Sequence, residues 1–290
     1  MSFKGYLDKA KLRELCTDIS MPEEAAVYIC GPALEADFSS IEQYFDKLFS
    51  LKTGSEATRA IDEWGSENHG LKGLAAYLIA ALKSHELCRE LKIGDDIFVD
   101  TMKAFSRFVR EHHASYGCCG YDRGFWTNRQ ICLNLLRLGC LEFEMLTLHD
   151  GDLQKRMGAG APQVLSVHIP SDAVMTRENL DSSYTMAKEF FPRVFPGFDY
   201  KLMYCSTWLL APALSKMLPP GSKILEFQAD YEILEIYEDG TSCMGWVFKK
   251  KYDNYSDLPE DTSLMRAIKA HLLSGGKVGE AMGVVRGSRK

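Results

Sequence analysis

Acid–base side chains lie on two predicted strands in the second half of the chain. Glu142 and Glu144 alternate with apolar residues over 141–145, and His168 belongs to an alternating segment over 164–169. A period of two is typical of a strand and puts both carboxylates on one face. Because histidine titrates near neutral pH, we interpret His168 and Glu142 as catalytic candidates, with Glu144 an equal choice for a base acting through water. The structural alternatives are a hydrogen-bonded histidine at a strand end and paired acids on a solvated face.

A further set of candidates lies on an aromatic-rich segment, residues 200–208, that is predicted to be a strand. The thiol of Cys205 can act as a nucleophile or as an acid toward a leaving group, which makes it the third catalytic candidate. The phenol of Tyr204 can protonate a thiolate. We assign Tyr204, Ser206 and Trp208 to substrate binding. The alternative for each is packing, since cysteine commonly behaves as a small buried hydrophobe.

Two arginines and an aromatic residue lie near the middle of the chain. Arg123, Trp126 and Arg129 fall within ten residues of one another, next to Asp122. A guanidinium group can hold a phosphate or carboxylate in bidentate geometry, and we predict that these three residues bind substrate in a cleft between the two halves. Ion pairing of the arginines with Asp122 or Glu142 is the equal alternative.

Composition and missing motifs exclude several classes of protein. The net charge is −6 and is divided evenly between the halves, which argues against nucleic-acid binding. The chain has no apolar run of the roughly 18 residues that a membrane span needs, and its first residues do not form a signal sequence. We therefore expect a cytoplasmic protein with nine reduced cysteines, no membrane association and a small-molecule substrate.

We also expect no metal and none of the common hydrolytic or phosphotransfer motifs. Cys118 and Cys119 are adjacent and follow His112 and His113, but neighbouring thiols seldom share one tetrahedral site. The sequence contains no G-x-S-x-G elbow, no phosphate-binding P-loop and no H-E-x-x-H helix. The oligomeric state is not predicted.

Periodicity divides the chain into a helical part and a mixed part. Apolar stripes with helical spacing recur before residue 138, including one after the Ser39-x-x-Glu42 capping box, and a helix is predicted from Thr127 to Gly139. The second part predicts a hairpin, a helix capped by Thr176, the strand over 200–208 and a short helix over 212–218. A long strand over 224–237, a D-G turn, a strand over 242–250 and a helix capped by Asp261 follow. Because a crossover helix implies local parallel pairing, the fold class is α+β with a mixed sheet.

Five sequence segments together resemble one known family. They are Leu138 to Phe143, His168 to Pro170, Phe190 to Pro196, Cys205 to Pro212 and Asp261 to Arg266. They are similar to the bacterial acyltransferase-domain proteins in which a helical N-terminal domain precedes a GNAT-like (acyl-CoA N-acyltransferase) C-terminal domain. The resemblance implies domains over 1–138 and 139–290. It also implies transfer of an acyl group from acyl-CoA, as co-substrate, to a small acceptor, in a gap between the strands that carry His168 and Cys205.

One segment departs from the pattern of GNAT enzymes. Those enzymes usually carry Q/R-x-x-G-x-G/A before the crossover helix, where backbone N–H groups cradle the pyrophosphate of CoA. The corresponding segment, 170–176, has no glycine and contains Asp172. Lys155-x-x-Gly158-x-Gly160 resembles the motif but is predicted to lie in a hairpin loop. The departure supports an alternative function, a non-catalytic protein that binds a small ligand and retains the fold without the CoA loop.

Overall fold

The computed structural model describes residues 2–149, 151, 154–155 and 163–288. The chain divides into two compact units, Met1–Leu138 and Gly139–Lys290. In the part described, the first unit is helical except for its last strand, and the second unit combines a sheet with helices. The α+β fold class predicted from the sequence is confirmed.

Six helices account for most of the first unit. They are α1 (Lys9–Asp18), α2 (Glu23–Ile29), α3 (Leu51–Trp64), α4 (Leu71–Glu90), α5 (Asp95–Tyr116) and α6 (Gly124–Ile131). The sides of α4 are buried almost all round, because its alanine and leucine residues leave little polar surface. The α5 helix ends at Gly117, whose φ of 75° is a left-handed conformation that glycine adopts without strain.

Two helix predictions in the first unit were wrong. The segment after Ser39 forms short 3₁₀ turns, because Asp37 accepts hydrogen bonds from both the N–H and the hydroxyl of Ser39, which holds that hydroxyl away from a capping position. The helix predicted from Thr127 begins at Gly124 and ends at Ile131. Leu133 then has a positive φ of 55° and stops the helix before the first strand, β1 (Leu135–Leu138).

The sheet contains both parallel and antiparallel pairs. Its other strands are β2 (Leu141–Thr147), β3 (Gln163–His168), β4 (Met203–Thr207), β5 (Tyr231–Tyr237) and β6 (Glu280–Val285), in the spatial order β1-β2-β3-β4-β6-β5. The β2/β3, β4/β6 and β5/β6 pairs are antiparallel, and β3/β4 is parallel. The crossover from β3 to β4 is the helix α7 (Arg177–Val194), capped by Thr176 as the sequence predicted.

Three predictions near the C-terminus were wrong. The long strand over 224–237 is a helix, α8 (Lys223–Ala229), followed by β5, and the side chain of Gln228 fixes this helix by donating to the carbonyls of Leu209 and Ala211. The strand over 242–250 is the helix α9 (Ser242–Phe248). The last helix, α10 (Ser263–Leu273), is capped by Thr262, whose hydroxyl accepts from the N–H of Met265, and not by Asp261.

The two faces of the sheet have different surroundings. On one face, Phe143 of β2 packs against Phe191 of α7, with ring centroids 6.4 Å apart. On the other face, an apolar cluster of Val164, Leu202, Met282 and Val284 lies beside the polar residues of β2 and β3, with Tyr204 packed against it. Residues that alternate along one strand therefore enter two separate environments.

Candidate active site

The antiparallel pairing of β2 and β3 brings four polar side chains onto one face. Glu142 is the Cα partner of His168, and Glu144 is the Cα partner of Ser166. Glu142, Glu144 and Ser166 are 2%, 5% and 5% exposed, so this polar group is largely removed from water. The four side chains share one face because each strand has a period of two, which puts residues i and i+2 on the same side.

His168 and Glu144 form a hydrogen-bonded pair. Nε2 of His168 lies 2.9 Å from Oε2 of Glu144, so the imidazole reaches diagonally past its own register partner, Glu142. An ionised carboxylate can only accept, so Nε2–H of His168 donates this hydrogen bond. The His168 side chain is 25% exposed and that of Glu144 only 7%. This arrangement gives a base with an accessible ring and a buried carboxylate that fixes its tautomer.

The strands β3 and β4 separate beyond the position of Ser166. In the part of the chain that is described, their register contains only the pairs Leu165/Met203 and Ser166/Tyr204. Beyond that point β4 stays paired on its other side, with Cys205 opposite Gly283 and Ser206 opposite Met282 of β6. The opening therefore begins next to His168.

Tyr204 and Ser206 line the β4 side of this opening. Burial raises the pKa of the Tyr204 phenol above its usual value, and the charge of Glu144 adds to the increase, while a hydrogen bond from Ser166 opposes it. The phenol is therefore protonated at neutral pH. Ser206 is exposed at the opening. Trp208 follows in a buried 3₁₀ turn, whose first residues are capped by the Thr207 hydroxyl.

Cys205 lies on the opposite face of the sheet from His168. Its side chain is 1% exposed, and burial raises the pKa of the thiol well above its usual value. Its neighbours on that face include Tyr184 of α7 and Tyr231 of β5, whose hydroxyl oxygens are 3.1 Å apart. The structure thus does not bring Cys205 together with the other two catalytic candidates, His168 and Glu142.

The predicted anion-binding residues belong to the first unit. Arg123 pairs with Asp122 at 3.0 Å, which is the local alternative considered from the sequence. The guanidinium of Arg129 lies 4.4 Å from the centroid of the Trp126 ring, and its Nη1 donates to the carbonyl of Phe125 at 3.2 Å. Stacking on an indole ring orders a guanidinium group without neutralising its charge. The assignment of Arg123, Trp126 and Arg129 to substrate binding stays a prediction.

The connection from β3 to α7 has the cap of a helix but no glycine. Thr176 accepts from the N–H of Asn179, and Arg177 bridges the carboxylates of Asp181 and Asp230 at 2.7 and 2.6 Å. These acids place negative charge beside the first turn of α7, where a phosphate group would otherwise be favoured. Gly158 and Gly160 of the motif-like segment lie outside the described residues.

Over the described ranges, no group of three or more histidine, cysteine or acidic residues has the geometry to hold a metal ion. Among the helices described, none is long and apolar enough to span a membrane.

Alternation predicted that Glu142 and Glu144 share one face, but not which of them bonds His168. That choice depends on the diagonal reach of the imidazole, which no local pattern encodes. Ser166 was not selected because a single serine on a strand carries no signal of its own. Its position opposite both Glu144 and Tyr204 becomes visible only from the register of three strands.

Known structures with the same fold are acyltransferases. The chain is similar to one solved in complex with CoA and 10C-teicoplanin, with 22% identity and a TM-score of 0.79 over 94% of this chain and 86% of the other. A second, in complex with decanoyl-CoA and teicoplanin, has 23% identity and a TM-score of 0.74 with the same coverage. A third, in complex with decanoyl-CoA, has 19% identity and a TM-score of 0.77 over 97% and 88% of the two chains. No curated protein matches the chain significantly.

Family models match both parts of the chain. The N-acyltransferase N-terminal domain matches residues 10–133, and the GNAT-like C-terminal domain matches residues 135–285, more than half of the chain. The solved structures confirm the fold, and the two matches follow each other in the order that the sequence analysis expected. The chain therefore belongs to the family in which an N-acyltransferase N-terminal domain is followed by a GNAT-like C-terminal domain.

Proposed function

We propose that this protein is an acyltransferase that moves an acyl group from an acyl-CoA thioester to a small nucleophilic acceptor. The observation that carries the proposal is the His168–Glu144 pair at the opening between β3 and β4. A buried carboxylate that orients a partly exposed imidazole is an arrangement suited to removing a proton from a nucleophile.

His168 acts as the general base in this proposal. Its imidazole accepts a proton from the amine or hydroxyl of the acceptor while that group attacks the thioester carbonyl. Glu144 stabilises the imidazolium that forms, because its carboxylate holds the Nε2–H. General acid–base groups of this kind contribute about 10²- to 10⁴-fold to rate.

Tyr204 acts as the acid for the leaving thiolate. The raised pKa keeps its phenol protonated at neutral pH, and the residue lies on the strand across the opening from β3. Cys205 has no place in this mechanism because its thiol is protonated and faces the other side of the sheet. Ser206, exposed at the opening, and Trp208, just beyond it, are proposed to contact the acyl donor.

Acyl-CoA is the proposed donor because the solved structures with this fold were determined with CoA, octanoyl-CoA or decanoyl-CoA. The teicoplanin bound in one of those structures is a property of that protein, and the acceptor here is defined only as a small nucleophile. Arg123 and Arg129 are the proposed anion-binding groups, with Trp126 beside them. The nine free cysteines agree with the proposed cytoplasmic location, because the cytosol keeps thiols reduced.

The glycine-free connection before α7 favours one second candidate function. At this position Arg177 is held by Asp181 and Asp230. A protein with this arrangement keeps the fold but lacks the usual cradle for a pyrophosphate. Such a protein would bind a small ligand without catalysing acyl transfer.

Binding and turnover together distinguish the two candidates. We would titrate the protein with octanoyl-CoA by calorimetry and then measure release of free CoA thiol in the presence of a panel of primary amines and alcohols. Saturable binding with acceptor-dependent release supports the acyltransferase. Binding without release from any acceptor favours the non-catalytic protein, and absence of binding contradicts acyl-CoA as the ligand.

A histidine pair of variants tests the residue assignment. His168→Ala is expected to keep octanoyl-CoA binding while kcat falls by about 10²- to 10⁴-fold. His271→Ala is the matched control, since this histidine lies on α10 and its side chain has one described hydrogen bond, to the carbonyl of Lys277. Equal kcat for a folded His168→Ala protein and the wild type would remove His168 from the mechanism.

A further inference from the structure

Ser166 lies at the centre of a polar row that crosses three strands. Its Cα partner on β2 is Glu144 and its Cα partner on β4 is Tyr204. Paired residues of neighbouring strands project from the same face, so the hydroxyl lies between a carboxylate and a phenol. These are the groups to which the proposed function gives the base-orienting and the acid roles.

The surroundings of Ser166 give its hydroxyl a defined partner. The residue is 5% exposed, and burying a hydroxyl costs free energy unless it is hydrogen-bonded. Its Cα partner Tyr204 carries a hydroxyl on the same face, and the interaction with Ser166 lowers the pKa of that phenol, whereas burial and the charge of Glu144 raise it. Ser166 therefore favours the phenolate of Tyr204, the state that burial and the charge of Glu144 disfavour.

We propose that Ser166 is a positioning residue for the leaving-group step, in which it orients the Tyr204 phenol and stabilises the phenolate formed when the thiolate departs. The inference rests on the proposed function. It adds a residue that neither the strand pattern nor the His168–Glu144 pair identifies. It also explains why this strand carries a polar residue where its neighbours on the same face, Val164 and Leu202, are apolar.

The step balances without any further reagent. When the tetrahedral intermediate breaks down, the C–S bond breaks and its electron pair goes to sulfur. The Tyr204 proton moves to that sulfur, which gives the free thiol and a phenolate that accepts the hydrogen bond of Ser166. The proton that His168 took from the acceptor then passes through water to the phenolate and restores the phenol. In net terms, the acceptor loses one proton and the departing thiol gains one.

The test compares two donors that differ in their need for an acid. Octanoyl-CoA has an alkyl thiolate leaving group, whereas the octanoyl thioester of 5-thio-2-nitrobenzoate has an acidic aryl thiolate that leaves without a proton. Ser166→Ala is expected to lower kcat for octanoyl-CoA by about tenfold or more, the effect of losing one hydrogen bond to a charged group, with KM nearly unchanged. The same variant should keep its rate with the aryl thioester.

Two further variants complete the comparison. Ser166→Thr retains the hydroxyl and suits a strand, so it should restore most of the rate with octanoyl-CoA. Tyr204→Phe should show the same dependence on donor as Ser166→Ala, and His168→Ala should lose rate with both donors. Thermal unfolding midpoints confirm that each variant is folded.

Several outcomes overturn the inference. An equal loss of kcat with both donors in Ser166→Ala would mean that Ser166 has a structural role or acts through His168. An unchanged kcat with octanoyl-CoA would mean that Ser166 has no role in catalysis. Failure of Ser166→Thr to restore the rate shows that the hydroxyl is not what matters. A wild-type protein that converts neither donor contradicts the proposed function itself and this inference with it, which separates the two kinds of failure.

Discussion

Individual residues around His168 acquire their chemistry from the strand positions that they occupy. His168 and Ser166 share β3, and their partners on β2 are two glutamates separated by one residue. The imidazole donates its hydrogen bond to Glu144, although Glu142 is its register partner. The sequence identifies the two glutamates, and both are buried on one face. Only the direction of the His168 side chain shows which glutamate orients the imidazole.

Replacing each of the two glutamates separates their roles. Glu144→Gln removes the charge that stabilises the imidazolium and permits the wrong tautomer of His168, so kcat should fall by about 10²-fold or more. Glu142→Gln leaves the 2.9 Å hydrogen bond between His168 and Glu144 in place and should have the smaller effect. Steady-state rates with octanoyl-CoA, together with unfolding midpoints, measure the difference. A larger loss of kcat in Glu142→Gln would reverse the assignment.

Cys205 provides a prediction from a shifted pKa. Burial raises the pKa of this thiol well above its usual value, so the thiolate, which is the reactive form, is almost absent at pH 8. Iodoacetamide at pH 8 should modify the partly exposed Cys118 and Cys132 and leave Cys205 unmodified in the native protein. Peptide mass spectrometry reads each site separately. Native-state labelling of Cys205 that abolishes turnover would restore it as a nucleophile candidate.

Elements that read clearly in the sequence are those whose polar and apolar residues alternate or recur with helical spacing. The helix α7 was predicted because Thr176 caps it and its apolar residues recur with helical spacing, and β2 and β3 were predicted from alternation. The strand β6 was missed because it lies between β4 and β5, and five of its six residues are buried. A strand buried on both faces loses the alternation that distinguishes it. Its sequence, Glu-Ala-Met-Gly-Val-Val, then resembles any apolar segment.

The N-terminal cap of α7 gives a prediction about stability. This helix connects β3 and β4, the two strands that separate. Thr176→Ala removes the hydroxyl that accepts from the N–H of Asn179 and should lower the free energy of unfolding by about 1 kcal/mol. Thr185→Ala is the matched control within the same helix, where an exposed threonine bonds the carbonyl of Asp181 and alanine has the better helix propensity. Urea denaturation of both variants gives the comparison. Equal destabilisation by the two substitutions would contradict a specific capping role.

On the scale of the whole molecule, the chain contains two compact units and one proposed donor site. Acyl-CoA that binds only the native protein raises the free energy of unfolding by about 2.7 kcal/mol at a hundred times its dissociation constant. A chain of this size should then unfold several degrees higher, at about 2 °C for each kcal/mol. Differential scanning calorimetry with octanoyl-CoA, octanoyl-pantetheine and free CoA measures the effect and shows which part of the donor produces it.

The shifts of the unfolding midpoint with the three ligands test how this protein holds the donor. The question arises because its connection before α7 lacks glycine. If arginines such as Arg123 and Arg129 hold the phosphates, octanoyl-pantetheine should stabilise less than octanoyl-CoA, and Arg123→Gln should remove most of that difference. If the opening between β3 and β4 provides the binding alone, the two thioesters should give equal shifts, because both carry the same octanoyl-pantetheine part. A midpoint that responds to neither thioester would leave the His168–Glu144 pair without an acyl-CoA substrate.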